Sequence, residues 1–186
     1  MRSPAERRPP ARGERARRLA FLAAGIALAG AVQLVEQLMP LPLPWLRLGL
    51  ANAVTVAFLL WRGKHAALAV TCGRYLVALL ATGLSLAWLL GLAGGLAALM
   101  VMAVLATLGR GRFGPLGLSV PGAMTHMLVQ FWLVAAWWRA PLVWSQLPLA
   151  LSFAFAAGLV TGYAAWLLER ALPAMVITGE QPGPQI

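Results

Sequence analysis

Between Leu19 and Leu168 the chain runs as a series of long apolar stretches, and of its charged residues only Glu36 and Arg74 fall inside them. No other feature limits the fold as strongly. A helix needs about 20 mainly apolar residues to cross a bilayer. Lipid offers no partner to an open strand edge, so only helices and closed barrels can span it. Barrel strands alternate apolar and polar residues, whereas these runs are continuously apolar. The chain is therefore expected to be all-α: a polytopic membrane protein with six transmembrane helices. Composition agrees, with 61% of the 186 residues apolar and 11% charged. A soluble domain carries about 45–50% and about 25% respectively, so an ordinary soluble enzyme and a disordered chain are both excluded.

The expected spans are 19–39, 47 or 48–61, 66–81, 86–108, 121–138 and 146–168. The second is short. Residues 113–120 contain Gly and Pro and are expected at the interface, because Pro121 makes a good first helical position. Six spans take about 120 residues and leave no room for a second, soluble domain. The expected organisation is a basic cytoplasmic tail over 1–18, a transmembrane domain over 19–170 and a flexible cytoplasmic tail over 171–186. Pro4, Pro9 and Pro10 discourage a regular helix in the first tail.

Charge sets the orientation. With six spans and the N-terminus inside, twelve of the fifteen Lys and Arg residues fall on inner segments, Arg47 and Arg139 fall outside, and Arg74 lies within the membrane. That is the positive-inside pattern. Both termini are expected in the cytoplasm of a bacterial inner membrane. The basic tail reads as a determinant of topology, and no nucleic-acid partner is expected. Trp45, Trp61, Trp137, Trp138 and Trp144 stand at span ends, where aromatic belts form.

The chain contains no Asp and five Glu. Chemistry that needs a carboxylate cluster is excluded, and with it most Mg²⁺-dependent diphosphate chemistry. Cys72 is alone, so neither a disulfide nor a Cys-based metal site forms within one chain. One His and one Glu in the spans are too few donors for a metal centre. No G-x-x-x-x-G-K-S/T motif occurs, so any ATP hydrolysis must come from partners. Ser119 and His126 are seven apart, but no Asp orients the imidazole and no G-x-S-x-G is present. An enzyme is not expected, nor a cofactor.

The polar residues inside the spans call for a reason. A charge at a helix centre costs about 2.5–3.5 kcal/mol on insertion scales, so Arg74 must face the bundle interior. Either it contacts an anionic group of a substrate, or it is a structural residue satisfied by Glu36 and backbone carbonyls. Glu36 lies near the outer end of the first span, with Gln33 on the same face. Arg47 and Asn52 approach from the outer end of the second span, and His126 and Gln130 share a face of the fifth. Glu36, Arg47, Asn52, Arg74, His126 and Gln130 are thus expected to line an outward-opening pocket that binds a small molecule, each alternatively satisfied by an interhelical hydrogen bond. The early first span is unusually small, with Ala20, Ala24 and Ala27 among its residues. Such faces permit close helix contact in a membrane.

Several of these segments resemble one family. Leu46 to Asn52 looks like its K-L-G-L-A-N segment, with Arg47 in place of Lys. Gly73-Arg74 is similar to its intramembrane Arg in the third span. Ser119 to Gln130 resembles its S-V-x-G-A-x-x-H-x-x-x-Q segment, with Met127 and Val129 where the family carries Asn and Gly. The family is the Gx transporter family, which also bears the name heptaprenyl diphosphate synthase component I. It resembles the substrate-specificity (S) components of energy-coupling factor transporters. The resemblance implies a membrane-embedded binding component of an importer for a small anionic or zwitterionic molecule. It further implies that Ala20, Ala24 and Ala27 dock on a transmembrane coupling subunit driven by two cytoplasmic ATPases. The loop carrying Pro42, Pro44 and Trp45 would gate the pocket. The other family name implies a non-catalytic membrane subunit of prenyl-chain synthesis. A structural role in a membrane redox complex is a third reading.

Overall fold

The computed structural model describes residues 12–38, 49–109, 111–139 and 141–171. Six helices follow in order: α1 (Arg12–Leu38), α2 (Ala51–Arg62), α3 (Lys64–Thr82), α4 (Leu86–Leu108), α5 (Pro115–Trp138) and α6 (Leu147–Ala171). A short 3-10 turn, Pro141–Gln146, leads into α6. Five of the helices are long and apolar enough to cross a membrane, and α2 is the shorter apolar sixth.

The packing is that of a membrane bundle. Large apolar side chains such as Leu28, Val35, Leu76, Met100, Trp132 and Phe155 point outward. The interior is built largely from small and polar residues: Ala29, Ala51, Ala57, Ala78, Thr55, Thr71, Ser119 and Thr161 are all buried. Lipid does not drive apolar groups together, so helices associate through close contact and interhelical hydrogen bonds.

The short second helix holds the centre. α2 touches each of the other five helices, and Ala51 and Ala53 through Leu59 are buried. At about 1.5 Å per residue it is about 18 Å long, well under the thickness of the hydrocarbon core. Protein rather than lipid surrounds it. Gly63 alone separates α2 from α3, with φ +81°, a left-handed conformation that glycine adopts without strain.

Three helices begin earlier than expected, α3 by only two residues, at Lys64, and α1 and α5 by more. α1 starts at Arg12 rather than Leu19. Pro10 is the last helix breaker, and the basic residues beyond it are good helix formers. Glu14 accepts from Arg18 at 2.6 Å across one turn. α5 starts at Pro115, so 115–120 is helical and Pro121 lies inside the helix rather than at its start. Tertiary packing overrides the proline here. A Cβ on Gly162 would come within 2.8 Å of the Leu116 backbone, and one on Gly158 within 2.8 Å of the Val120 backbone. The early α5 therefore lies backbone to backbone on α6, and Ser119 and Thr161 share a 2.6 Å hydrogen bond there.

The small residues of α1 divide between two faces. Gly25, Ala29 and Gly30 turn inward, where Gly25 meets Phe58 and Gly30 meets Val77. Ala20, Ala23, Ala24, Ala27 and Ala31 are exposed.

Candidate functional site

Successive helices alternate in direction, which gathers the C-terminal halves of α1, α3 and α5 with the N-terminal halves of α2, α4 and α6. A partly open cavity of about 80 Å³ lies among them. In the opposite half Val56, Leu59, Leu99, Met102 and Leu118 fill the bundle. Beside them Phe21 stacks on Phe58 at 5.1 Å, with Trp61 against both rings. That filled half ends in Arg62, Lys64, His65, Arg112 and Arg170.

Of the six expected pocket residues, Glu36, Asn52, Arg74, His126 and Gln130 line this cavity. Arg47 lies outside the described residues, as do Pro42, Pro44 and Trp45. The cavity walls also carry Gln33, Tyr75 and Thr161. Gln33 was recognisable from its spacing to Glu36. Tyr75 and Thr161 carried no such signal, because a tyrosine beside an Arg and a threonine in an Ala/Gly helix look like ordinary packing.

Each group is held by its own helix. Arg74 sits just past the middle of α3 and is 4% exposed. Its guanidinium carbon lies 4.8 Å from the Tyr75 ring centroid, within reach of a cation–π contact. The Tyr75 hydroxyl donates to the Gly91 carbonyl, and the Trp88 indole N–H donates to the Tyr75 carbonyl. Gly91 and Gly95 of α4 make room for that ring, since a Cβ on Gly95 would stand 2.8 Å from it. Gly94 does the same for His126, whose ring and carbonyl oxygen would lie 3.0 Å from an added Cβ.

Glu36 ties α1 to α2. Its Oε1 accepts from the Leu50 backbone N–H at 2.7 Å, where α2 begins. A carboxylate at a helix N-terminus meets unpaired N–H groups and the positive end of the helix dipole.

Glu36 does not satisfy Arg74. Among the described residues the one ion pair is Glu14–Arg18. Arg74 Nε is buried with no hydrogen-bond partner, and Gln33 Oε1 is the same. Buried polar atoms in native proteins are nearly always paired, and these two unpaired atoms belong to residues that line the same cavity. Ser119 is fully buried and bonded to Thr161 rather than set beside His126, which removes the serine–histidine pairing.

The wall can therefore offer a cation, a carboxylate oxygen, three side-chain amides and an imidazole to one small molecule. Such a cavity, polar at a few points and lined between them by Ala123, Met127, Ala154 and Ala157, has the build of a small-molecule site. No curated protein and no solved structure matches the chain. A family model described as heptaprenyl diphosphate synthase component I matches residues 26–168, a stretch that takes in all the described cavity residues. By that match, over well more than half its length, the chain belongs to the heptaprenyl diphosphate synthase component I family.

Proposed function

We propose that this protein is the membrane-embedded substrate-binding component of an energy-coupling-factor-type importer. The observation that carries the reading is Arg74: a cation within the span, 4% exposed, with an unpaired Nε, in the wall of a cavity. Intramembrane ionisable residues that face a cavity mark substrate pathways. Arg74 binds the anionic group of the substrate. Asn52, His126 and Gln130 orient the rest, and Arg47 adds a second positive group.

The basic end of the bundle faces the cytoplasm by the positive-inside rule, so the cavity opens outward across a bacterial inner membrane, with both termini inside. The connection from Leu38 to Gly49 starts and ends beside the cavity, since Glu36 and Gly49 both line it. It acts as the gate, with Pro42 and Pro44 stiffening it and Trp45 as its cover. The exposed face of Ala20, Ala24 and Ala27 docks on a transmembrane coupling subunit, and two cytoplasmic ATPases supply the energy.

The family name supports a second reading, a non-catalytic membrane subunit of heptaprenyl diphosphate synthesis. With no Asp in the chain, the Mg²⁺-diphosphate chemistry would belong wholly to a partner. One experiment separates the two. The full chain is purified from its native host in mild detergent, and mass spectrometry identifies its co-purifying proteins and bound small molecules. A membrane coupling subunit with ATPases, and a polar metabolite lost in Arg74→Ala, is the expected result. Recovery of a soluble prenyl synthase, with neither ligand nor ATPase, overturns it.

A further inference from the structure

The cavity holds an acid and a base that do not pair. Glu36 and Arg74 both line it, and both are more than nine-tenths buried. Yet no ion pair joins them. Gln33 stands one turn before Glu36 on the same face of α1, 6% exposed, with its Oε1 unpartnered. A carboxylate and an amide carbonyl are acceptors, so that side of the cavity asks for N–H donors. A guanidinium only donates, so the α3 side asks for an acceptor, best a charged one.

Burying separated charges is costly unless each finds a counter-charge. An anion alone would satisfy Arg74 and leave Glu36 facing it across a cavity of low dielectric. A cation alone would do the reverse. A molecule with both charges satisfies both walls, and its own zero net charge leaves the balance of Arg74 and Glu36 unchanged.

We propose that Gln33 and Glu36 form a subsite for an ammonium or similar charged N–H group, and that the ligand is a small zwitterion whose anionic group meets Arg74. This rests on reading the cavity as a substrate-binding site. Ala123 and Ala154, on the helices opposite α1, leave room for a short hydrocarbon part between the two charged ends. Gln33 and Glu36 would thus set specificity, rejecting simple anions that Arg74 alone would accept.

The test uses the full-length protein in detergent. A polar metabolite extract of the host is split by ion exchange at neutral pH into anionic, cationic and zwitterionic fractions. The thermal unfolding midpoint is read with each. The zwitterionic fraction is expected to raise it, and the anionic fraction to leave it unchanged. Gln33→Leu is expected to weaken binding of the stabilising fraction about tenfold or more, as loss of a hydrogen bond to a charged group does. The same change is expected to raise the midpoint of the ligand-free protein, because an unmade buried acceptor is removed. A glutamine with only a structural role would lower it. Gln33→Glu keeps the acceptors and is expected to retain binding, which covers the case in which the leucine variant does not fold. Stabilisation by the anionic fraction, or unchanged binding in Gln33→Leu, overturns the zwitterion subsite and leaves a binding protein. Stabilisation by no fraction overturns the binding function itself, and the subsite with it.

Discussion

At the scale of single residues, the cavity wall sets an unpaired cation beside a firmly held ring. Arg74 carries a charge into the bundle without a carboxylate partner. Arg74→Met is therefore expected to stabilise the ligand-free protein by up to about 3 kcal/mol, the order of the insertion cost of the charge, while abolishing ligand retention. Thermal unfolding with and without the co-purified ligand measures both effects, and a fall in ligand-free stability would mean that Arg74 is structural. Tyr75 is the opposite case. Its ring is fixed by the hydroxyl bond to Gly91 and by Trp88, so it cannot retreat from a new methyl group. Gly95→Ala is expected to cost about 1–3 kcal/mol, the range for overpacking, and to loosen the wall beside Arg74. The charged members of this site could be read from the sequence because a charge in an apolar run has few explanations. Tyr75 and Thr161 could not, since the place of Tyr75 depends on Gly91 and Gly95 of α4 facing it, and that of Thr161 on the close contact of α6 with Ser119 of α5.

At the scale of elements, the six-helix order followed from apolar run length, and the ends of α4 match the expected span. The early start of α5 has a tertiary cause. Proline is a local signal, whereas Gly158 and Gly162 act on α5 from a helix forty residues away. Gly158→Val forces the two backbones apart at the Ser119–Thr161 bond, and is expected to lower the unfolding midpoint more than Ser119→Ala does. The outward alanines of α1 predict a different outcome. Ala24→Leu and Ala27→Leu touch no internal contact, so folding and ligand retention should stay intact while a coupling subunit no longer co-purifies. Unchanged co-purification would place the docking face elsewhere.

At the scale of the molecule, one half of the bundle is filled and the other is hollow, and the basic residues crowd the filled end. If that end faces the cytoplasm, cysteines at the two ends report opposite sides. In a Cys72→Ala background, a membrane-impermeant maleimide on intact cells is expected to label Ser85→Cys, in the turn at the hollow end, and not His65→Cys. The reverse pattern would turn the cavity inward and end the importer reading.

The brevity of α2 also bears on how the chain is made. A segment of twelve helical residues emerging from the ribosome is too short to partition into the bilayer alone, and its polar Asn52, Thr55 and Arg62 add to the difficulty. Only one glycine follows before α3, which is long enough to span. Membrane integration of α2 must therefore wait for α3 and proceed as a hairpin, so a nascent chain halted just after Arg62 would hold one stable crossing rather than two. The helix at the centre of the finished bundle depends on a neighbour synthesised after it.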